Sequence, residues 1–340
     1  MAAGSAPQVI CLGEALVDRL GPLGVDPAAA SSEHCQDRLG GAPANVACAL
    51  ARLGTPSAFV GRLGSDAIGA AFQQLMTERG VALSGLQHDP IRPSRIVLVR
   101  RDASGDRSFG GFAGDRGQGF ADQALDAAAL QTTLPPLLAA ARWLQIGTLP
   151  LAAASAAAAL VAAVELAAAA GVAIALDVNW RPTFWDASAA ADAGPTPAAA
   201  VSIRPLLERA GLIKLAAEEA QWLFGHRDPA LIRAALPQHP AVVVTDGAAQ
   251  VAWCFGASSG VMPAFSVPVV DSTGAGDAFL AGLLHQLCRQ PRLLEAGSAE
   301  ALRFASACGA LVCGGAGAID PQPTEAQVEA FLAGSGSGSG

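Results

Sequence analysis

Short apolar runs alternate with longer stretches of helical spacing along most of this 340-residue chain. Val9-Ile10-Cys11-Leu12 is wholly apolar and closes on Gly13, the mark of a central strand buried on both faces. A helix with Pro43 in its first turn, where a missing N–H costs nothing, is predicted to run to about Arg52 and end at Gly54. Residues 58–60 read as a strand and 66–79 as a helix, with Asp66 as its cap and Gly80 as its stop. From 142 onward the alternation is regular: strand 143–146, helix 152–170, strands 172–176 and 212–215, helix 217–224, strand 242–245. Such β-α alternation predicts a mostly parallel sheet with helices on both faces, whose ligands bind at the carboxyl ends of the strands. Segments 95–101 and 107–109 flank the turn signal 102–106 as a hairpin. With strands near 14–18 and 33–38, the hairpin forms a small second sheet. Phe109-Gly110-Gly111-Phe112-Ala113-Gly114 then reads as a pliable loop carrying rings, suited to covering a ligand.

The stretch that organises the rest is Asp271-Ser272-Thr273-Gly274-Ala275-Gly276-Asp277-Ala278-Phe279. It follows the β-branched run Val267-Pro268-Val269-Val270. It precedes an Ala/Leu-rich run with apolar residues at Phe279, Leu283 and Leu287, so it reads as strand, glycine turn, helix. Gly274 and Gly276 flank the small Ala275 at the helix start. Backbone N–H groups there stand open to an anion, with the helix dipole behind them. One turn in, Asp277 sets a carboxylate beside that anion hole. A carboxylate opposes anion binding, and it makes chemical sense as a base that takes the proton of a hydroxyl attacking the anion. The spacing is equally compatible with a dipole-favoured first-turn acid after a plain tight turn.

The composition narrows the classes. A net charge of -8 argues against nucleic acid or an anionic membrane as the main partner. Lysine occurs once, at Lys214, so the basic charge is almost all arginine. The seven cysteines show no CxxC or metal-ligand spacing and read as free thiols in a reducing, cytoplasmic compartment. Residues 1–7 carry no signal-peptide pattern and read as a frayed terminus. The most membrane-like stretch, 156–176, contains Glu165 and breaks at Gly171, so it reads as a soluble helix and a buried strand. Residues 334–340 alternate Gly and Ser and read as a flexible tail, leaving one domain over 1–333. Neither GxxxxGK[ST] nor GxGxxG occurs. Gly256-Ala257-Ser258-Ser259-Gly260 matches a hydrolase GxSxG, but strands flank it on both sides where a nucleophile elbow needs a helix to follow.

Two motifs together carry a resemblance. Gly40-Gly41-Ala42-Pro43-Ala44-Asn45-Val46-Ala47 and the 271–279 stretch resemble, in order and separation, the two signatures of the ribokinase-like (PfkB) carbohydrate kinases. The likeness spans about residues 8–325. Within the family, Asp177-Val178-Asn179-Trp180-Arg181-Pro182 and residues 304–310 look most like fructokinases. The resemblance implies an α/β three-layer sandwich with a central mostly parallel sheet and a small β lid over about 14–38 and 93–118. It implies an ATP-dependent kinase acting on a primary hydroxyl, foremost fructose to fructose 6-phosphate. The alternatives are a kinase of 2-keto-3-deoxygluconate, ribose or a nucleoside, and a kinase-like binding protein without catalysis.

The same resemblance assigns roles. Asp277 is the general base, with Gly274, Ala275 and Gly276 as the anion hole. Asp18, Gly40, Gly41, Asn45, Phe112 and Arg181 meet the sugar. Asn179, Lys214, Thr245, Gly247, Ser306 and Gly309, with the signature glycines, meet ATP. Glu219 organises Mg²⁺ through water, and Asp271 and Thr273, with backbone near 314–317, hold a monovalent cation, K⁺. The implied partners are the sugar, MgATP and a second copy joined through the lid. Three positions depart from the pattern. Phe112-Ala113 stands where fructokinases often carry an aromatic-arginine pair, so that contact is missing or moved to Arg116. Ala216 and Ser306 replace polar residues that relatives place near Mg²⁺ and adenine.

Overall fold

The computed structural model describes residues 6–102, 107–293 and 299–336. The main sheet is built from β1 (Val9–Leu12), β4 (Ser57–Gly64), β5 (Ala82–Asp89), β8 (Trp143–Ile146), β9 (Ala173–Asp177), β10 (Leu212–Ala216), β11 (Ala241–Asp246), β12 (Gln250–Phe255) and β13 (Ser258–Pro263). Their order is β13-β12-β11-β10-β9-β8-β1-β4-β5. Pairing is parallel from β5 through β11 and antiparallel at the β11–β12–β13 edge. This is the ribokinase-like α/β architecture.

Its strands are buried on both faces, and alternate residues serve different cores. Val9, Cys11, Phe59, Leu212 and Val243 enter one core with the helices α1 (Ala42–Arg52), α9 (Ala275–Arg289) and α10 (Ala299–Val312). Ile10, Leu12, Val60, Ile213 and Val244 enter the other, with α3 (Ala127–Leu138), α4 (Ala154–Ala169) and α6 (Pro197–Leu207). Helix, sheet and helix thus form three layers. Helix α2 (Ala67–Arg79) starts on Asp66, which accepts from Gly69 N, and stops at left-handed Gly80. The second sheet has the order β3-β2-β6-β7, from β2 (Leu16–Leu23), β3 (Gln36–Gly40), β6 (Ile96–Arg101) and β7 (Arg107–Ala113).

Several boundaries differ from the sequence reading. Residues 267–270 form no strand, and Val269 and Val270 are 64% and 65% exposed. Pro268 has no N–H for a ladder. The N–H groups of Val270 and Asp271 go instead to the carbonyl of Cys313, just past α10. The signature is therefore anchored on a helix end, not on the sheet. Phe109 to Ala113 belongs to β7, paired with β6, so the glycines sit in a strand with a bulge and not in a loop. The small-sheet strands lie at 16–23 and 36–40, a few residues past the predicted positions. The last helix, α11 (Glu325–Gly336), runs through Gly334 into the stretch read as a tail. The tail's last residues, 337–340, the turn residues 103–106 and the first five residues lie outside the described residues. Strand β5 was not foreseen, because its half-buried residues alternate with polar ones. Gly256 to Gly260 spans the β12–β13 hairpin, with no helix after it.

Candidate active site

The carboxyl ends of β1, β9 and β10 and the starts of α1 and α9 meet at one place, and Asp277 lies at its centre. It is the third residue of α9. Its Oδ2 accepts a 2.7 Å hydrogen bond from Asn45 Nδ2 across 232 residues of chain. Burial, reinforced by the nearby Asp177 charge, raises the Asp277 carboxyl to about 6, while the Asn45 bond, Lys214 and Arg181 oppose the rise. At neutral pH it is an ionised proton acceptor held close to the point of titration.

The start of α9 beside it is uncapped by any side chain. Gly274 is left-handed at φ 79°, and a Cβ there would lie 2.5 Å from Ala318 Cβ. Only glycine lets the chain turn this tightly against the 317–318 loop. That loop is tied back to the signature: Asp271 Oδ2 accepts from Gly317 N, and Asp271 Oδ1 accepts from the amide and hydroxyl of Thr273. The start of α9 is thereby held in place, with its first-turn amides uncapped by any side chain.

Beside Asp277 lies a polar wall. Asp18 Oδ2 is 3.3 Å, and Asn45 Oδ1 4.0 Å, from the point a Cβ on Gly40 would occupy. Asn45 Oδ1 is buried without a hydrogen-bond partner. Gly41, at φ 101°, brings the chain so close that a Cβ would meet the Glu14 carbonyl at 2.7 Å. Asp18, Gly40, Gly41, Asn45 and Asp277 are thus brought together, and they offer acceptors and donors of the kind hydroxyl groups need.

The residues assigned to phosphate and metal divide. Lys214 lies in β10 directly opposite Asp177 of β9. Its ammonium donates to both Asp177 oxygens, at 3.0 and 2.8 Å, with both side chains buried. Burial alone would lower the Lys214 pKa, but Asp177 outweighs it and the net shift is upward. Lys214 Nζ lies 3.3 Å from a Cβ position on Gly276, so this charge sits against the first turn of α9. Glu219, in helix α7 (Ala217–Phe224), accepts from Trp180 N at 2.6 Å and Ala216 N at 2.8 Å. It fixes the corner where Asn179 is left-handed at φ 44°. Burial and the nearby Asp177 raise its carboxyl above the usual range. Arg181 is exposed and donates to the Trp180 carbonyl.

Thr245 and Gly247 lie farther along the rim, at the end of β11, and Gly247 has open space at its Cβ position. Ser306 is buried against Met262 Sδ at 3.9 Å. Gly309 faces the first turn of α9, since a Cβ there would lie 2.9 Å from the Ala275 carbonyl. Its direct role is close helix packing. Phe112 packs on Phe109, Phe120 and Phe184. The cation it meets is Arg95, 4.9 Å from its centroid, and not the exposed Arg116.

Sequence reasoning gave no role to Asp177, Glu14 or Arg95. A lone lysine inside the apolar Leu-Ile-Lys-Leu run was the available signal for Asp177, because lysine is almost never buried unpaired.

Residues 6–325 match the family described as pfkB family carbohydrate kinase. The chain belongs to that family. Among curated relatives, rice fructokinase-1 (Oryza sativa subsp. japonica) is 31% identical over 96% of this chain and 98% of its own. The protein named "Probable fructokinase-6, chloroplastic" from Arabidopsis thaliana is 33% identical over 96% of this chain and 83% of its own. A crystal structure of fructokinase with bound ATP from Xylella fastidiosa superposes with a TM-score of 0.81 at 29% identity, covering 96% of this chain and 98% of that one. The Vibrio cholerae O395 fructokinase, in fructose, ADP and calcium ion bound form, gives 0.78 at 28% identity, covering 96% and 99%. No helix among the described residues of this carbohydrate kinase is long and apolar enough to cross a membrane.

Proposed function

We propose that this kinase is a fructokinase, transferring the γ-phosphoryl group of ATP to the primary hydroxyl that becomes the 6-phosphate of fructose. The observation that carries the reading is the buried Asp277 carboxylate, set between an uncapped helix start and the Asp18-Gly40-Asn45 wall. A proton acceptor, an anion site and a hydroxyl-binding wall meet there, as in-line phosphoryl transfer to an alcohol requires. In this reading Asp18 and Asn45 hold the sugar. Asp277 takes the proton of the attacking hydroxyl as its oxygen bonds to the γ-phosphorus and ADP leaves. The amides of Gly274 to Asp277 carry the charge that develops on the transferring group. Asn179, Thr245, Gly247 and Arg181 line the side from which the nucleotide enters.

The residues present fit a cation that arrives with the nucleotide. Among the described residues no group of three acids, histidines or cysteines could hold a metal alone. A magnesium ion held by few side chains keeps its waters and takes ligands from substrate phosphates. Asp177 and Glu219 are the acids nearest for its water shell, and the ion would neutralise phosphate charge. Asp271 and Thr273, fixed to the Gly317 loop, are the residues that would hold a monovalent cation such as K⁺. The cysteines described are all free thiols, in keeping with a reducing compartment such as the cytoplasm.

The test is kcat/KM for fructose, ribose, adenosine and 2-keto-3-deoxygluconate, at saturating MgATP with K⁺ present, by coupled detection of ADP. Fructose is expected to be the best of the four. A higher value for another sugar would overturn the fructose assignment, and turnover of none would overturn the catalytic reading.

A further inference from the structure

A second polar cluster lies beside the sugar wall, and the mechanism above leaves it unused. Glu14 follows β1 and is only 5% exposed. Its Oε1 accepts from Ala42 N at 3.0 Å, at the start of α1, whose Gly41 cap supplies no side chain. A second backbone hydrogen bond, from its own amide, also reaches the carboxyl. The side chain also borders a cavity of about 20 Å³ lined by Gly13, Arg95, Asp122, Leu149 and Phe184. Arg95 is equally buried at 5%. Asp122 accepts from its Nε and Nη2 at 2.8 and 3.1 Å, which leaves Nη1 as its remaining donor group. Phe112, Phe120 and Phe184 stack on the guanidinium at 4.7 to 4.9 Å and fix its plane. Glu14 feels the charges of both Asp122 and Asp277.

A buried acid and an immobilised guanidinium beside one cavity are a costly arrangement for packing alone, because buried polar groups are retained where partners meet them. The cavity is close to the least that holds one water or one hydroxyl. We propose that Glu14 and Arg95 form a hydroxyl subsite. It takes one hydroxyl of the sugar other than the one Asp277 deprotonates, accepting its hydrogen bond at the Glu14 carboxyl and donating to its oxygen from Arg95. The assignment rests on the sugar-kinase reading and narrows it to neutral polyols. The Arg95 charge is already matched by Asp122, so a sugar carboxylate would find the Asp122 and Asp277 charges nearby and no unmatched cation in the subsite. Burial pushes the Glu14 carboxyl up to about 8, with the Asp122 and Asp277 charges adding to the rise. At neutral pH Glu14 therefore keeps its proton and can both donate and accept.

The experiment is a cycle of Glu14→Ala against monodeoxyfructoses (1-, 3- and 4-deoxy), read as kcat/KM at saturating MgATP. Glu14→Ala is expected to lower kcat/KM for fructose by about 10- to 100-fold through the KM of the sugar, the size of a lost buried hydrogen bond to a hydroxyl. The KM of MgATP should stay within about twofold, because the subsite meets only the sugar. For one deoxy analogue the variant and the wild type should converge, since the hydroxyl they would contest is gone. Glu14→Gln, which keeps a donor and an acceptor, should recover most of the loss. An equal loss for fructose and for every analogue would overturn the proposal and leave Glu14 as a helix cap beside a trapped water. Should Glu14→Ala not fold, Arg95→Lys runs the same cycle and must converge on the same analogue. Failure of wild type on fructose would sink the fructose assignment alone. The cycle then runs with the deoxy forms of whichever sugar is accepted.

Discussion

Replacing Asp277 by Asn isolates the proton acceptor from everything else the residue does. Asn is nearly isosteric, and its carbonyl oxygen can still accept from Asn45 Nδ2, which donates to Asp277 Oδ2 at 2.7 Å. The wall and the start of α9 should therefore keep their geometry. What disappears is a base whose burial raises it to about 6. Loss of a positioned general base costs roughly 10²–10⁴ in rate, or about 2.7–5.4 kcal/mol of barrier at 1.36 kcal/mol per decade. A second effect has the opposite sign. The substitution removes a negative charge beside the anion site, where Asp177 adds another, so nucleotide affinity should hold or rise. The loss must then fall on kcat, with ATP affinity by calorimetry unchanged or tighter. The pH profile gives an independent check. The raised carboxyl is ionised, and so competent, only above about 6. The wild-type kcat/KM should fall as pH drops through that value, well above the range of an ordinary carboxylate, and this limb should vanish in Asp277→Asn. A variant that keeps more than a tenth of wild-type kcat, or an unchanged acid limb, would refute the assignment.

Asp18→Ala should raise the KM of the sugar while that of MgATP barely moves, by about 10- to 150-fold if it removes one charged hydrogen bond of about 1.5–3 kcal/mol; equal effects on both substrates would put Asp18 outside the sugar pocket. Lys214→Met should destabilise the fold by about 3–5 kcal/mol in urea, because it strands the Asp177 charge in the interior. Adding Asp177→Asn should return part of that stability, and a double variant no more stable than Lys214→Met would show that the pair is not the cause.

The two signatures were legible because each is local. Gly40-Gly41 and Gly274-Ala275-Gly276 are backbone requirements, and glycine at left-handed Gly41 and Gly274 announces them in the sequence itself. The parallel sheet was equally legible, since strands buried on both faces are unbroken apolar runs. What stayed hidden was pairing. Phe112 was visible as a ring lacking its usual arginine, and the nearest arginine forward in the chain, Arg116, was the natural substitute. Instead Arg95, the residue just before β6, comes to 4.9 Å from the Phe112 ring centroid. Residues 267–270 misled for the opposite reason. Their β-branched composition favours a strand, but strand propensity records a fit to a half-buried pleated surface, and no neighbour there offers one.

The lone lysine shows how far the site is an electrostatic construction. Asp177 and Lys214 are 37 residues apart, and the parallel register of β9 and β10 sets them side by side. Asp177 raises the pKa of Asp277 and of Glu219, whereas Lys214 lowers both. The pair thus lies beside Asp277, and its two members act on the proton affinity of that carboxyl in opposite directions. If Lys214 served only to neutralise buried Asp177, an apolar pair of similar volume would do as well or better, because burying two charges carries a desolvation penalty their attraction often fails to recover. An ion pair in this place keeps a positive charge 3.3 Å from the Cβ position of Gly276, where, in the proposed mechanism, a transferring phosphoryl group adds negative charge. The absence of a side chain at Gly276 is what permits that approach, so the glycine of the signature and the buried lysine are two halves of one device.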